Sequence, residues 1–135
     1  MRKLGIAPLV LLSAACGSQQ SIETATASIA LFHTQLDAGN YEAIWNTADD
    51  AMRQAGPKAE FVKFLDAVHT KLGRVKAMKQ AGWRVNETTG GEFVMLQENT
   101  MFEKGTGTEV FTYAQHGDRL TLVGYQINSR DMMMN

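Results

Sequence analysis

Few side chains in this sequence stand at spacings that chemistry could use. His33 and Asp37 are four residues apart, which puts them on one side of a helix. An imidazole or carboxylate base in an apolar setting, with a hydroxyl to steady a developing oxyanion, is the minimum for proton-transfer catalysis. Tyr113 and Tyr125 are the phenol donors available for the second role. Against catalysis, His33 falls at the edge of an apolar stripe, where a partly exposed histidine is ordinary. Asp37 lies in the last turn before Gly39, a position more often solvated. Tyr41, Trp45 and Trp83 join His33 and the two tyrosines as candidates to line a ligand pocket, but core packing explains these aromatics equally well.

Metal chemistry has less support. His33, His69 and His116 fall on three different segments and show no ligand spacing such as His-x3-His. Met132, Met133 and Met134 offer soft thioethers, yet three consecutive methionines there read more simply as a frayed tail. There is no P-loop, no Gly-x-Ser-x-Gly elbow and no Cys-x-x-Cys pair. The expectation is a domain with no catalytic residues, no metal and no cofactor.

The single cysteine carries the clearest signal. Arg2 and Lys3 precede an uncharged run from Leu4 to Ala15 that spans about 18 Å as a helix, too short for a hydrocarbon core of roughly 30 Å. A positive start, a short apolar middle and small residues after it describe a secretory signal peptide. Ser13 and Ala15 suit an ordinary signal peptidase, but Ser13-Ala14-Ala15-Cys16 also resembles the bacterial lipobox, although leucine usually stands where Ser13 does. A lone thiol in an oxidising compartment has no internal disulfide partner. Acylation consumes it, and several chains together anchor stably where one would be marginal. The expectation is cleavage between Ala15 and Cys16, lipidation of Cys16 and residence in the bacterial cell envelope. Gly17, rather than aspartate, follows the cysteine. By resemblance to Gram-negative sorting rules, this favours the periplasmic face of the outer membrane.

Residues 1–15 then form the signal peptide, 16–21 the lipidated N-terminus and a polar tether, 22–129 one domain, and 130–135 a flexible tail. Removing the signal leaves 120 residues with eleven basic against fourteen acidic side chains, a net charge of −3. That balance argues against nucleic acid as a partner. Residues 53–84 hold eight basic side chains against Glu60 and Asp66, which suits either anionic headgroups or charge balance within the molecule.

The elements that must position these residues follow from periodicity. Ile22, Ala25, Ile29, Phe32 and Leu36 mark one helical face, ended by Gly39. Asn40 is placed to cap a second helix with Tyr41, Ile44, Trp45, Ala48 and Met52 on its apolar stripe. Gly56-Pro57 opens a third, with Phe61, Phe64, Leu65, Val68 and Leu72 buried and Gly73 as its stop. After Gly73 the period changes to two. Strands are predicted over 74–85 with a bulge at Gly82, over 92–102, over 109–115 and over 120–128, and Asn86 to Gly91 forms the first turn. In 92–102, Val94, Leu96 and Phe102 share one face, and Phe93, Met95 and Met101 share the other. Short links between strands imply an antiparallel meander, so the fold class is α+β, N-terminal helices packed on a four-stranded antiparallel sheet.

LDAGNYEAIW at 36–45, LGRV at 72–75, GGEFVMLQENTMFE ending at Glu103 and LVGYQI at 122–127 stand in an order seen in one bacterial family. The chain resembles domain of unknown function 4019, a member of the nuclear transport factor 2-like superfamily, over roughly residues 22–129. Where that family commonly has a tryptophan before the Gly-Tyr pair, this chain has Leu120 and Leu122. The resemblance implies a cone in which a curved sheet wraps helices, often around a pocket, and carries no established activity. The functional expectation is a lipid-anchored envelope protein whose non-catalytic domain binds a small apolar ligand or another envelope protein. The alternative is a pocket enzyme of isomerase or dehydratase type, which a cone filled by Trp45, Phe61 and Phe93 would exclude.

Overall fold

The computed structural model describes residues 14–135, with side chains from Gly17 onward. The expected signal peptide, its cleavage site and the Cys16 thiol therefore lie outside the described residues or side chains. Helix α1 spans Ala14–Asp37, α2 Tyr41–Thr47, α3 Asp50–Ala55 and α4 Lys58–Leu72. Strands β1 (Val75–Thr88), β2 (Gly91–Phe102), β3 (Gly105–His116) and β4 (Arg119–Asn128) follow, and α5 covers Arg130–Met134. The strands form one antiparallel sheet in the order β1-β2-β3-β4, so the protein is an α+β fold with its helices first.

The apolar stripes bury as their spacing requires. Ala25, Ile29, Phe32 and Leu36 of α1, Ile44 of α2, and Leu65, Val68 and Leu72 of α4 meet one face of the sheet. From the sheet come Val94, Leu96, Phe102, Phe111, Tyr113, Leu122 and Tyr125. Each large apolar side chain fully removed from water contributes about 1.5–3 kcal/mol, which makes this two-layer contact the main stabilising element. Gly73, at φ 76°, ends α4 in a conformation that a side chain would strain.

The structure departs from the sequence-based expectation at several places, among them the start of β3, which is Gly105 where 109 was expected. The second helix is two, because Asp49 breaks it. Its carboxylate accepts the Ala51 N–H at 2.9 Å as the cap of α3, while its own N–H donates to the Leu122 carbonyl of β4 at 2.8 Å. Asn40 stands at the start of α2 but makes no side-chain cap bond. Asn86 and Glu87, expected in the first turn, belong to β1, where they face Phe93 and Glu92. Finally, residues 130–135 are not a free tail. Ser129 caps α5 through the Met132 N–H at 3.1 Å, Asp131 accepts the Thr106 N–H at 2.9 Å, and Lys71 donates to the Met132 carbonyl at 3.1 Å. Gly105 permits this docking, because a Cβ there would collide with Asp131.

The expected tether changes too. Residues 17–21 are helical, and Ser21 is buried with its hydroxyl 3.0 Å from both the Gly17 carbonyl and Oε1 of Gln115 on β3. At the other side of the sheet, β1 pairs only with β2. Its free edge carries Lys76 and Lys79, with register irregularities near 76 and 81, features that discourage edge-to-edge pairing. Among the described residues no helix is long and apolar enough to cross a membrane.

Candidate functional site

The inner face of the sheet is not wholly apolar. Strand alternation places Glu98 and Thr100 on the same face as Leu96 and Phe102, and Glu109 on the same face as Phe111 and Tyr113. In the β2–β3 register Glu98 stands directly opposite Glu109. Helix α1 lays His33 over them, one residue from Phe32, and β4 supplies Tyr125. The result is a polar cluster in the centre of the core: Glu109 is 0 % exposed, Glu98 1 % and His33 5 %.

Glu109 is the hub. Its Oε1 accepts from His33 Nε2 at 2.8 Å and from the Thr100 hydroxyl at 2.5 Å, and its Oε2 accepts from the Tyr125 hydroxyl at 2.5 Å. Three donors on one carboxylate offset the desolvation of a buried charge. Burial, together with the Glu109 charge and its hydrogen bond, pushes the Tyr125 phenol well up, so Tyr125 stays a donor. Burial and then the Glu109 charge raise Tyr113 as well. Glu98 has a different environment. Burial raises its carboxyl above the usual range, the facing Glu109 raises it further, and His33 partly counters both.

Acid, imidazole and phenol are the groups proton transfer needs, but here they point at one another. Phe32, Phe111 and Tyr125 fill the space around them, with ring centroids 4.7–5.1 Å apart. A recess of about 280 Å³, lined by Asn99, Thr106, Asn128 and Ser129 among others, reaches Thr100, which separates it from Glu109.

His33 and Tyr125 thus meet through Glu109, and Tyr113 joins them by stacking on Phe111 at 6.5 Å. The remaining pocket candidates lie elsewhere. Tyr41 donates to Asp66 at 3.2 Å, Trp45 packs on Phe61, and Trp83 is 55 % exposed on β1 opposite Leu96. Asp37 accepts the Val75 N–H at 3.2 Å, outside the cluster. The expectation of a partly exposed His33 is corrected, because its neighbour Glu109 draws it inward. Phe32, Phe111 and Tyr125 surround the cluster, whereas Phe93 lies on the outer sheet face, as its parity with Met95 and Met101 requires. Glu98, Thr100 and Glu109 were not among the candidates. Their signal was parity, a carboxylate at a core-facing strand position.

A second titratable group lies at the surface. Asp49 Oδ2 accepts from His116 Nε2 at 2.8 Å and from the Thr121 hydroxyl at 2.7 Å, beside an open groove that Arg53 and Arg119 also line. Those bonds, with the Ala51 N–H, lower the Asp49 carboxyl to about 2. Among the described residues, no group of three or more metal-ligating side chains converges.

Comparison with known families matches residues 27–125 to a protein family described as "Protein of unknown function (DUF4019)". The chain belongs to DUF4019. The match runs from Ala27 in α1 to Tyr125 in β4, so it takes in His33, Glu98, Thr100, Glu109 and Tyr125. No curated protein matches the chain. The DUF4019 domain here therefore encloses the whole polar cluster and, within the same span, the Asp49–His116–Thr121 group.

Proposed function

We propose that this protein is a lipid-anchored component of the bacterial cell envelope whose DUF4019 domain binds another envelope protein and catalyses no reaction. The observation that carries the non-catalytic reading is Glu109, wholly buried and already bonded to His33, Thr100 and Tyr125. The aromatic packing around it argues against a small apolar ligand in the interior and moves binding to the surface. There Met101, Met133 and Met134 are exposed at 52–78 %, adaptable apolar side chains of a kind used at protein contacts. Anchoring rests on Cys16 following a short apolar export segment, at the periplasmic face of the outer membrane where the source has two membranes.

Two measurements test the reading. Cells fed an alkyne fatty acid should label the wild type and spare Cys16→Ala; equal labelling contradicts the anchor. A photo-crosslinking residue at Met101 or Met133 should give a discrete adduct with an envelope protein, and no adduct at either position contradicts the binding role.

An isomerase- or dehydratase-type enzyme has one observation in its favour, the composition of the His33–Glu109–Tyr125 cluster. It requires solvent and substrate to reach His33. Diethyl pyrocarbonate should modify exposed His116 and leave His33 intact; equal reactivity would favour the enzyme.

A further inference from the structure

We propose that the protein does not swing on its anchor but lies with one end, the end carrying the β3–β4 turn, against the phospholipid headgroups. This rests on the lipidation of Cys16 proposed above and deepens it. The residues expected to be a tether are the first turns of α1, a single helix of 24 residues, about 36 Å long. Ser21, 6 % exposed, fastens those turns to Gln115 at the end of β3. Gly17, the residue after Cys16, lines a recess of about 240 Å³ together with Gly117, Asp118 and Leu120. Acyl chains on Cys16 would therefore leave the protein beside that turn, with no slack between anchor and domain.

The chemistry of this end suits a headgroup layer. His116, Gly117, Asp118 and Arg119 are all exposed, and none is apolar. The neighbouring groove adds Asp49 and Asp50 against Arg53, and the β1–β2 turn at the same end adds Glu87 and Glu92, so the surface is polar with an excess of carboxylates. Such a surface stays out of hydrocarbon, and its carboxylates suit the ammonium groups of zwitterionic headgroups better than an anionic lipid surface. The antiparallel meander puts the β2–β3 turn, around Lys104, at the opposite end of the sheet, about 40 Å away along a twelve-residue strand. Met101 and the methionines of α5 belong to that far end, where an envelope partner could reach them.

The single cysteine makes the test direct, since its acylation leaves an introduced thiol as the only one free. The full chain, acylated in cells, is prepared as Asp118→Cys and as Lys104→Cys, each labelled with a fluorophore. Each is placed in zwitterionic phosphatidylethanolamine and phosphatidylcholine vesicles that carry a headgroup quencher. Quenching at position 118 should exceed that at 104 by about threefold or more, given the roughly 40 Å between the two ends of the strand. Eight glycine and serine residues inserted after Gly17 should erase the difference. Equal quenching at the two sites in acylated, vesicle-bound protein overturns the orientation alone. Absence of the acyl label overturns the anchor, and the orientation with it.

Discussion

Two histidine–carboxylate pairs, His33–Glu109 and His116–Asp49, share a 2.8 Å contact between Nε2 and a carboxylate oxygen, and each carboxylate also accepts a threonine hydroxyl. Their surroundings separate them. The first is sealed in the core with side-chain exposures of 7 % and 0 %; in the second the histidine is 55 % exposed. In the core, water cannot replace a lost partner, so every bond to Glu109 supports the fold. At the surface, water and ions can substitute. Asp49 matters there chiefly because its backbone-facing bonds end one helix and begin the next. Identical chemistry thus serves to fix a core in one place and to set a chain break in the other.

The sharpest way to break this comparison is to remove each histidine. His33→Leu leaves Glu109 buried without its imidazole partner, and should cost about 3–5 kcal/mol in urea unfolding. His116→Ala should cost less than about 1 kcal/mol, as exposed pairs do. Similar losses from the two would contradict the distinction.

The carboxylates sharpen it further. Asp49 has its carboxyl lowered from 3.8 to about 2, so its contribution is present above 3.8 and is lost as pH falls toward 2. Asp49→Ala should therefore lose about 2 kcal/mol at neutral pH, with the gap from wild type narrowing below pH 4. Glu98 has the opposite sign. Its raised carboxyl favours the protonated native state, so its contribution is present in acid and lost as pH rises through the raised value. Glu98→Gln should raise the urea midpoint at pH 7 by less than the Asp49 loss, and the gain should vanish in acid. A lower midpoint at pH 7 would mean that Glu98 has a stabilising partner in its ionised form.

Apolar spacing, three or four residues in the helices and two in the strands, sufficed to place the sheet, its helical cover and most of the core, because apolar burial dominates both. The polar cluster was encoded by the same alternation, yet Glu98 and Glu109 pass for solvated residues when charge alone is read. Only the parity they share with Leu96 and Phe111 marks them as interior. His33 was legible as a candidate from type and spacing, but its burial depends on Glu109, seventy-six residues away. The break at Asp49 was hidden for a related reason. An apolar stripe from Tyr41 to Met52 runs across it, and the carbonyl that draws the Asp49 N–H out of the helix belongs to Leu122 on distant β4. Residues 17–21 and 130–135 looked unstructured because their partners, Gln115, Thr106 and Lys71, are remote in sequence.

The central claim is that the His33–Glu109–Tyr125 cluster is a closed structural element and not an open site. Proton NMR of the isotopically labelled imidazoles in water tests it most directly. A closed cluster predicts a downfield, slowly exchanging Nε2–H signal from His33 at neutral pH, with none from His116. A His33 proton exchanging with solvent as fast as that of His116 would contradict the account and reopen the interior to substrate.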